Sequence, residues 1–379
     1  MNLATRSTLA LAIFLIACGS TPDGPSTRTG SRSIPSFDVH EWGVLNLRID
    51  DEIDYGELGA GPGTAAGRSL ARQRRPPRIR QSPVTVDKPV IYVHSEERSP
   101  FDVTMSVRLT PHLSFAETFP SANSVPAPTV GESIHWQARV QPDRCSTPSP
   151  PFPQQTDPAC QSTPDGYCEG AELSEYVTPD AACLSVGSAT TPLLFYRGSF
   201  SYGEFLGAFP SPVHVRRQYE NMLPVLHVAG GSDATTIGGF WLVERSESET
   251  RISTSPWPER GSEVQNWRPT SPEEAQAALR RDLSAHGLSE AETNVFMETW
   301  MNELFAPRAS TPTDVDAPRT AHESGANGEL PAPLPSDGTA RELLFWWPQD
   351  TIDLVATLEI APAPRNVNRA LLVRVRISR

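Results

Sequence analysis

Apolar and polar positions alternate with a period of two over much of the chain. Val103, Met105, Val107 and Leu109 interleave with Asp102, Thr104, Ser106 and Arg108. Ile134, Trp136, Ala138 and Val140 interleave with His135, Gln137 and Arg139. Successive side chains of a strand point to opposite faces, so both segments predict half-buried strands. Pro89-Val90-Ile91-Tyr92-Val93 is almost continuously apolar and predicts a central strand, with its proline at the first position, where a missing N–H is tolerated. Shorter strands are predicted at 44–49, 193–196, 213–215, 226–228, 237–243 and 343–347. Leu371, Val373, Val375 and Ile377 alternate with Leu372, Arg374, Arg376 and Ser378 and predict a last strand inserted in a sheet.

The period changes after residue 270. Ser271-Pro272-Glu273-Glu274 has a capping serine, a proline at the first helical position and a glutamate three residues after the cap. The helix it opens runs to about His286 and stops at Gly287. Ser289-Glu290-Ala291-Glu292 repeats the same cap, and Phe296, Trp300 and Leu304 follow one turn apart. The segment 271–306 is therefore a helical hairpin whose aromatic face is expected to be core rather than a cofactor box. Residues 307–340, rich in Pro, Ala, Ser, Thr and Asp, read as a long surface loop. The expected fold is mainly β with a smaller α part: an antiparallel β-sandwich-like body, a clamped insert and the hairpin. The expected divisions are 1–17, 18–35, a β-rich domain 36–262 with an insert at 141–190, and 263–379.

Composition sharpens this. Of 379 residues, 38 are proline, about twice the usual share, which disfavours a helical bundle and favours strands joined by irregular loops. The net charge is −13, which argues against nucleic acid as a partner, since that binding rewards basic surface. The basic residues are arginines except Lys88, so lysine chemistry has one residue available.

The N-terminus suggests export. A short positive start precedes the apolar run Leu9–Ala17, too short to span a bilayer but suited to a secretory signal. Leu15-Ile16-Ala17-Cys18 resembles a bacterial lipobox, in which the cysteine is lipidated and becomes the new N-terminus. The resemblance implies a lipoprotein with acyl chains such as palmitate on Cys18 and a body tethered to the cell envelope through the polar segment 19–35. Gly19, where an inner-membrane retention signal has Asp, points to the outer membrane. The membrane is then the expected partner; no protein or glycan partner is specified.

Cysteine usage agrees. Cys145, Cys160, Cys168 and Cys183 lie close together and even in number, as in a disulfide framework of an exported chain. The flanking strands favour nested bridges, 145–183 around 160–168; the likeness of Asp157-Pro158-Ala159-Cys160 to Asp180-Ala181-Ala182-Cys183 favours sequential ones. No C-x-x-C pair is present, so zinc on these cysteines is disfavoured. Asp50, Asp51, Glu52, Asp54 and Glu57 are rich in oxygen ligands but depart from calcium-loop spacing. No cofactor is expected, zinc and calcium being the ions weighed. The acidic run is followed by arginines between Arg68 and Arg80, which either pair with it or form an anion patch.

The densest candidate for chemistry is Val39-His40-Glu41-Trp42-Gly43. His40 beside Glu41 suits proton transfer or metal ligation, but neighbours in a strand diverge, and no second histidine follows at helical spacing. The plain reading puts Trp42 in the core. His94, His112, His135, His214, His227, His286 and His322 are scattered. Phosphate loops, G-x-S-x-G and G-x-G-x-x-G are absent.

Phe37–Val44 resembles the His-Glu-Trp-Gly-Thr-Phe opening of a family of uncharacterised exported bacterial proteins. Lys88–Tyr92, Leu194–Gly198, Gly287–Phe305 and Ala361–Pro364 are similar to later motifs of that group. Val44 replaces the usual Thr, and the cysteine-rich insert is a departure. The resemblance implies export and architecture and transfers no catalytic residue. The expected function is a membrane-anchored envelope module for binding or structure, with a metal-assisted hydrolase using His40 and Glu41 as the alternative.

Overall fold

In the computed structural model the described residues are 34–49, 83–110, 113–125, 132–145, 147–161, 168–201, 213–220, 223–230, 237–246, 248–257, 264, 267–307 and 340–377. The signal and tether, Cys18, the acidic and arginine runs at 50–80 and nearly all of the loop 307–340 lie outside them.

A nine-stranded sheet forms the middle of the molecule. Its strands are β1 (Phe37–Ile49), β2 (Pro83–Ser95), β4 (Leu113–Phe119), β9 (Leu194–Ser201), β12 (Gly239–Arg245), β13 (Thr250–Pro256), β14 (Arg268–Thr270), β15 (Ala340–Trp346) and β17 (Asn366–Ile377). They lie in the order β14-β13-β12-β15-β17-β1-β2-β9-β4. A second sheet has β3 (Phe101–Leu109), β5 (Asn123–Val125), β6 (Ser133–Val140), β7 (Leu184–Val186), β8 (Ala189–Thr191) and β16 (Ala356–Ala361). Its main order is β16-β3-β6-β7-β8, with β5 paired to β6. Strands β10 (Val213–Glu220) and β11 (Leu223–Gly230) form a separate ribbon. The α-helices are α1 (Pro158–Gln161), α2 (Pro272–Ala285) and α3 (Glu290–Phe305), and 3₁₀ segments lie at Glu169–Tyr176 and Gln349–Leu354.

One buried layer lies between the sheets, where Val39, Ile91, Tyr196, Leu343, Phe345, Leu371 and Val373 meet Val103, Met105, Val107, Ile134 and Trp136. A second lies between the large sheet and the helices, where Trp42, Tyr92, Leu344, Trp346 and Leu372 meet Leu279, Phe296, Trp300 and Leu304. The large sheet is thus covered on both faces, which is why β15 and β2 read as continuous apolar runs. β3 has one wet face, with Asp102, Thr104 and Arg108 exposed, and keeps its clean alternation.

The mainly β, antiparallel body is as expected, and it contains one parallel pair: β1 and β17, with Glu41 opposite Arg369. A parallel neighbour needs a long crossover, and almost the whole chain lies between these two strands. The boundary at 262/263 divides no domains. β15 and β17 bond to β12 and β1, β16 bonds to β3, and Pro35–Arg379 is one compact unit. Such long-range pairing leaves no mark on local composition.

Both helices of the hairpin carry the expected capping boxes, Ser271 with Glu274 and Ser289 with Glu292. The first helix ends in a Schellman turn. Leu288 N–H donates to the Leu283 carbonyl and Gly287 N–H to that of Ser284. Gly287 has φ +83°, and a Cβ there would lie 2.6 Å from Asn368 Nδ2. Gly287→Ala is expected to cost about 1–3 kcal/mol through backbone strain and this clash, read as a lower denaturation midpoint.

The far end of α3 is closed by buried arginines. Arg374 grips Glu342 with two bonds, Nε to Oε2 at 2.9 Å and Nη2 to Oε1 at 2.8 Å. It also reaches the Glu303 carboxylate and, at 3.4 Å, the Glu303 carbonyl. Arg245 pairs with Glu342 at 2.8 Å and donates to the Leu304 carbonyl. These cations occupy the helix C-terminus, where free carbonyls and the negative dipole end favour them. Burial disfavours the Arg374 charge, but Glu342 and Glu303 outweigh it and raise its pKa. Burial likewise opposes ionised Glu342, yet Arg374 and Arg245 hold its carboxyl below the ordinary range.

The disulfides are nested, Cys145–Cys183 around Cys160–Cys168. The outer bridge closes a separation of 38 residues, a constraint of about 4 kcal/mol in the chain-entropy picture. Inside the insert, the Glu117 carboxylate from β4 accepts the N–H groups of Glu169 and Gly170 at 3.1 and 3.0 Å and pairs with Arg197.

Candidate functional site

Strand β1 sends His40 and Glu41 to opposite faces of the large sheet. Glu41 points between the two sheets. Tyr196 Oη donates to its Oε1 at 2.7 Å, and Arg369, its cross-strand neighbour, donates to Oε2. Arg369 is held further by Asp353 at 2.6 Å and by the Ala356 carbonyl at 2.8 Å. Burial works against the Arg369 charge, and Glu41 beside it more than compensates, raising its pKa. Burial, then the Glu41 charge, pushes the Tyr196 phenol far above its ordinary range. Glu41 is therefore an ion-pair and hydrogen-bond anchor between the sheets. It is no proton partner for His40, so the pairing on which the hydrolase reading rested is not formed.

Trp42 is fully buried on the helical side, packed on Tyr92, Tyr176 and Phe296 with ring centroids 5.3–6.0 Å away. Tyr92 Oη donates to the Tyr176 carbonyl at 2.6 Å. This aromatic group fixes the 3₁₀ segment and α3 against β1 and β2.

His40 lies on the same face as Trp42 and meets residues the sequence had not joined to it. In the β1/β2 ladder His40 stands opposite Tyr92, and Asp38 opposite His94. His40 and His94 are thus diagonal neighbours on one face, with ring centroids 4.4 Å apart. Over them sits Glu292 from the first turn of α3, completely buried. His40 Nδ1 is 2.7 Å from Glu292 Oε2, and His94 Nε2 is 3.3 Å from Oε1. The capping bond from Ser289 N–H to Oε2, at 2.8 Å, fixes the carboxylate. Burial raises the Glu292 pKa, but the hydrogen bonds from the two histidines prevail and bring it down to about 2. Burial disfavours the His94 charge, and Glu292, then Asp180, reverse this and raise its pKa.

The surroundings set the proton positions. Asn368 Nδ2 donates to the Gly287 carbonyl at 2.8 Å, which orients the amide, and its other hydrogen faces His40 Nε2 at 3.1 Å. Without an ion, His40 Nε2 therefore accepts and Nδ1 carries the hydrogen directed at Glu292; ligation through Nδ1 would put that hydrogen on Nε2 and turn the Asn368 amide to offer its oxygen. For His94, Nδ1 faces Asp180 Oδ2 at 3.9 Å while Nε2 faces the Glu292 oxygen. A neutral His94 with its hydrogen on Nε2 donates to Glu292; with its hydrogen on Nδ1 it turns a lone pair to the carboxylate, and the two can then share a cation.

The donor atoms of His40, His94 and Glu292 lie within 4.8 Å of one another. Zinc–ligand bonds of about 2.0–2.2 Å place neighbouring donors of a tetrahedral site about 3.3 Å apart, so modest side-chain movements bring all three onto one ion. Among the described residues this is the cluster of its kind. The other described histidines do not join it: His135 lies 3.3 Å from Ser133 Oγ, and burial brings the pKa of His286, tilted against Trp346, down to about 4. Glu292 carried a sequence signal, but the capping box absorbed it. His94 carried none, since its neighbour comes from another strand. Comparison with protein-family models, curated proteins and solved structures finds no match, so the likeness to His-Glu-Trp-Gly proteins rests on the short motifs alone.

Proposed function

We propose that this protein is an exported, lipid-anchored envelope module that binds a divalent transition metal, zinc first, through His40, His94 and Glu292. The observation that carries the reading is the meeting of two imidazole rings and an ionised, buried carboxylate whose donor atoms lie within 4.8 Å of one another. Two histidines and a glutamate are a known zinc set, and imidazole with carboxylate also suits iron. The anchor at Cys18 and the disulfides agree with an oxidising site of action.

Purified folded body, stripped with chelator and reloaded, is expected to hold one zinc per chain by elemental analysis. His40→Ala and His94→Ala are expected to lose it while keeping the strand signature in circular dichroism. A wild-type protein that retains no metal at micromolar zinc refutes the metal reading. For the anchor, cells fed labelled palmitate should label the wild type and not Cys18→Ser; equal labelling would refute it.

A further inference from the structure

We propose that Asp180, presented by the disulfide-clamped insert, is the positioning residue of the metal site, holding His94 so that Nε2 faces the ion. This rests on the metal-binding reading above. A metal-bound histidine ordinarily gives its other ring N–H to a carboxylate or carbonyl, which fixes the tautomer and makes the ligating nitrogen a better donor. Asp180 stands beside that nitrogen. Its Oδ2 is 3.9 Å from His94 Nδ1, the nitrogen turned away from Glu292, and its backbone also bonds His94, so the carboxylate is within reach of Nδ1 without yet bonding it. Its Oδ1 is buried and has no hydrogen-bond partner, so the carboxylate has acceptor capacity left. An ion on Nε2 makes the Nδ1 hydrogen more acidic and draws the pair together.

The placement of Asp180 is built. Ala182 N–H donates to the Val93 carbonyl at 2.8 Å, docking the end of the insert beside His94 on β2. Gln141 N–H donates to the Cys183 carbonyl at 2.8 Å, and Cys183 N–H to that of Asp143 at 3.3 Å. Arg144 holds the carbonyl of Asp180 itself. The Cys145–Cys183 bridge locks these two short segments together. The clamp thus bears on the metal site through one side chain.

The test compares zinc affinity and the visible spectrum of the cobalt-loaded protein. Asp180→Ala is expected to weaken zinc about 10- to 100-fold and to alter the cobalt bands, with the chelator-treated protein melting as the wild type does. Asp180→Glu should recover part of the affinity, which a purely structural role would not predict. In a Cys145→Ser/Cys183→Ser background the alanine substitution should cost under about 3-fold, because the insert no longer presents the carboxylate. Wild-type affinity and spectrum in Asp180→Ala would overturn the assignment while leaving the metal site standing. An undiminished effect without the bridge would overturn the role of the clamp. Failure of the wild type to bind zinc or cobalt would overturn both this inference and the reading beneath it.

Discussion

Arg374→Met is expected to lose about 3–5 kcal/mol of unfolding free energy, because removing one member of a buried ion pair strands the other. The stranded group is Glu342, which keeps Arg245 at 2.8 Å but loses the two-bond grip of Arg374. The C-terminus of α3 loses its contact with Arg374 at Glu303 as well. Methionine fills much of the arginine stem's volume, so the loss is electrostatic more than a cavity. Adding Glu342→Gln should deepen the loss, because it leaves the buried Arg245 cation without its carboxylate. Guanidinium chloride unfolding of the three proteins decides this: a single variant within about 1 kcal/mol of wild type would refute the account of the network as a helix clamp.

Glu292→Gln is expected to reshape stability against pH, measured with chelator present. A carboxyl with an ordinary value of 4.5 that titrates near 2 in the fold contributes about 3 kcal/mol at neutral pH. The folded value is the lower one, so that contribution is present above the ordinary value and disappears as pH falls towards 2. His94 moves the other way. Its contribution is complete below the ordinary histidine value and is lost as pH rises through the raised one. Both shifts come largely from one contact, so they do not add. The wild type should therefore lose stability on both flanks, and the glutamine variant should be lower and flatter between them. Parallel profiles for the two proteins would remove Glu292 from its place between the histidines.

Much of the architecture was legible from residue patterns. Hairpin limits followed from two capping boxes, since a cap acts within its own turn. The nested bridges followed from the strands that flank the insert. The divergence of His40 and Glu41 followed from the strand period alone. What stayed hidden is what depends on distant partners. Glu292 reaches His40 across 252 positions, so its second role lay behind its first. Arg374 and Arg376 merely alternate with apolar residues in the sequence, yet Arg374 is wholly buried, held to Glu303 of α3. Strands such as β4, β13 and β16, with small and charged residues among the apolar ones, carry too weak an alternation to be read. Their place comes from hydrogen bonds to neighbours already set.

The parallel seam between β1 and β17 has a kinetic side. Glu41 and Arg369 must find each other across 328 positions, so the middle of the large sheet closes only once β17 has been made. Until then β1 and β15 each present an open edge, the kind of surface that recruits a neighbouring molecule. Folding of this chain should be slow and sensitive to concentration.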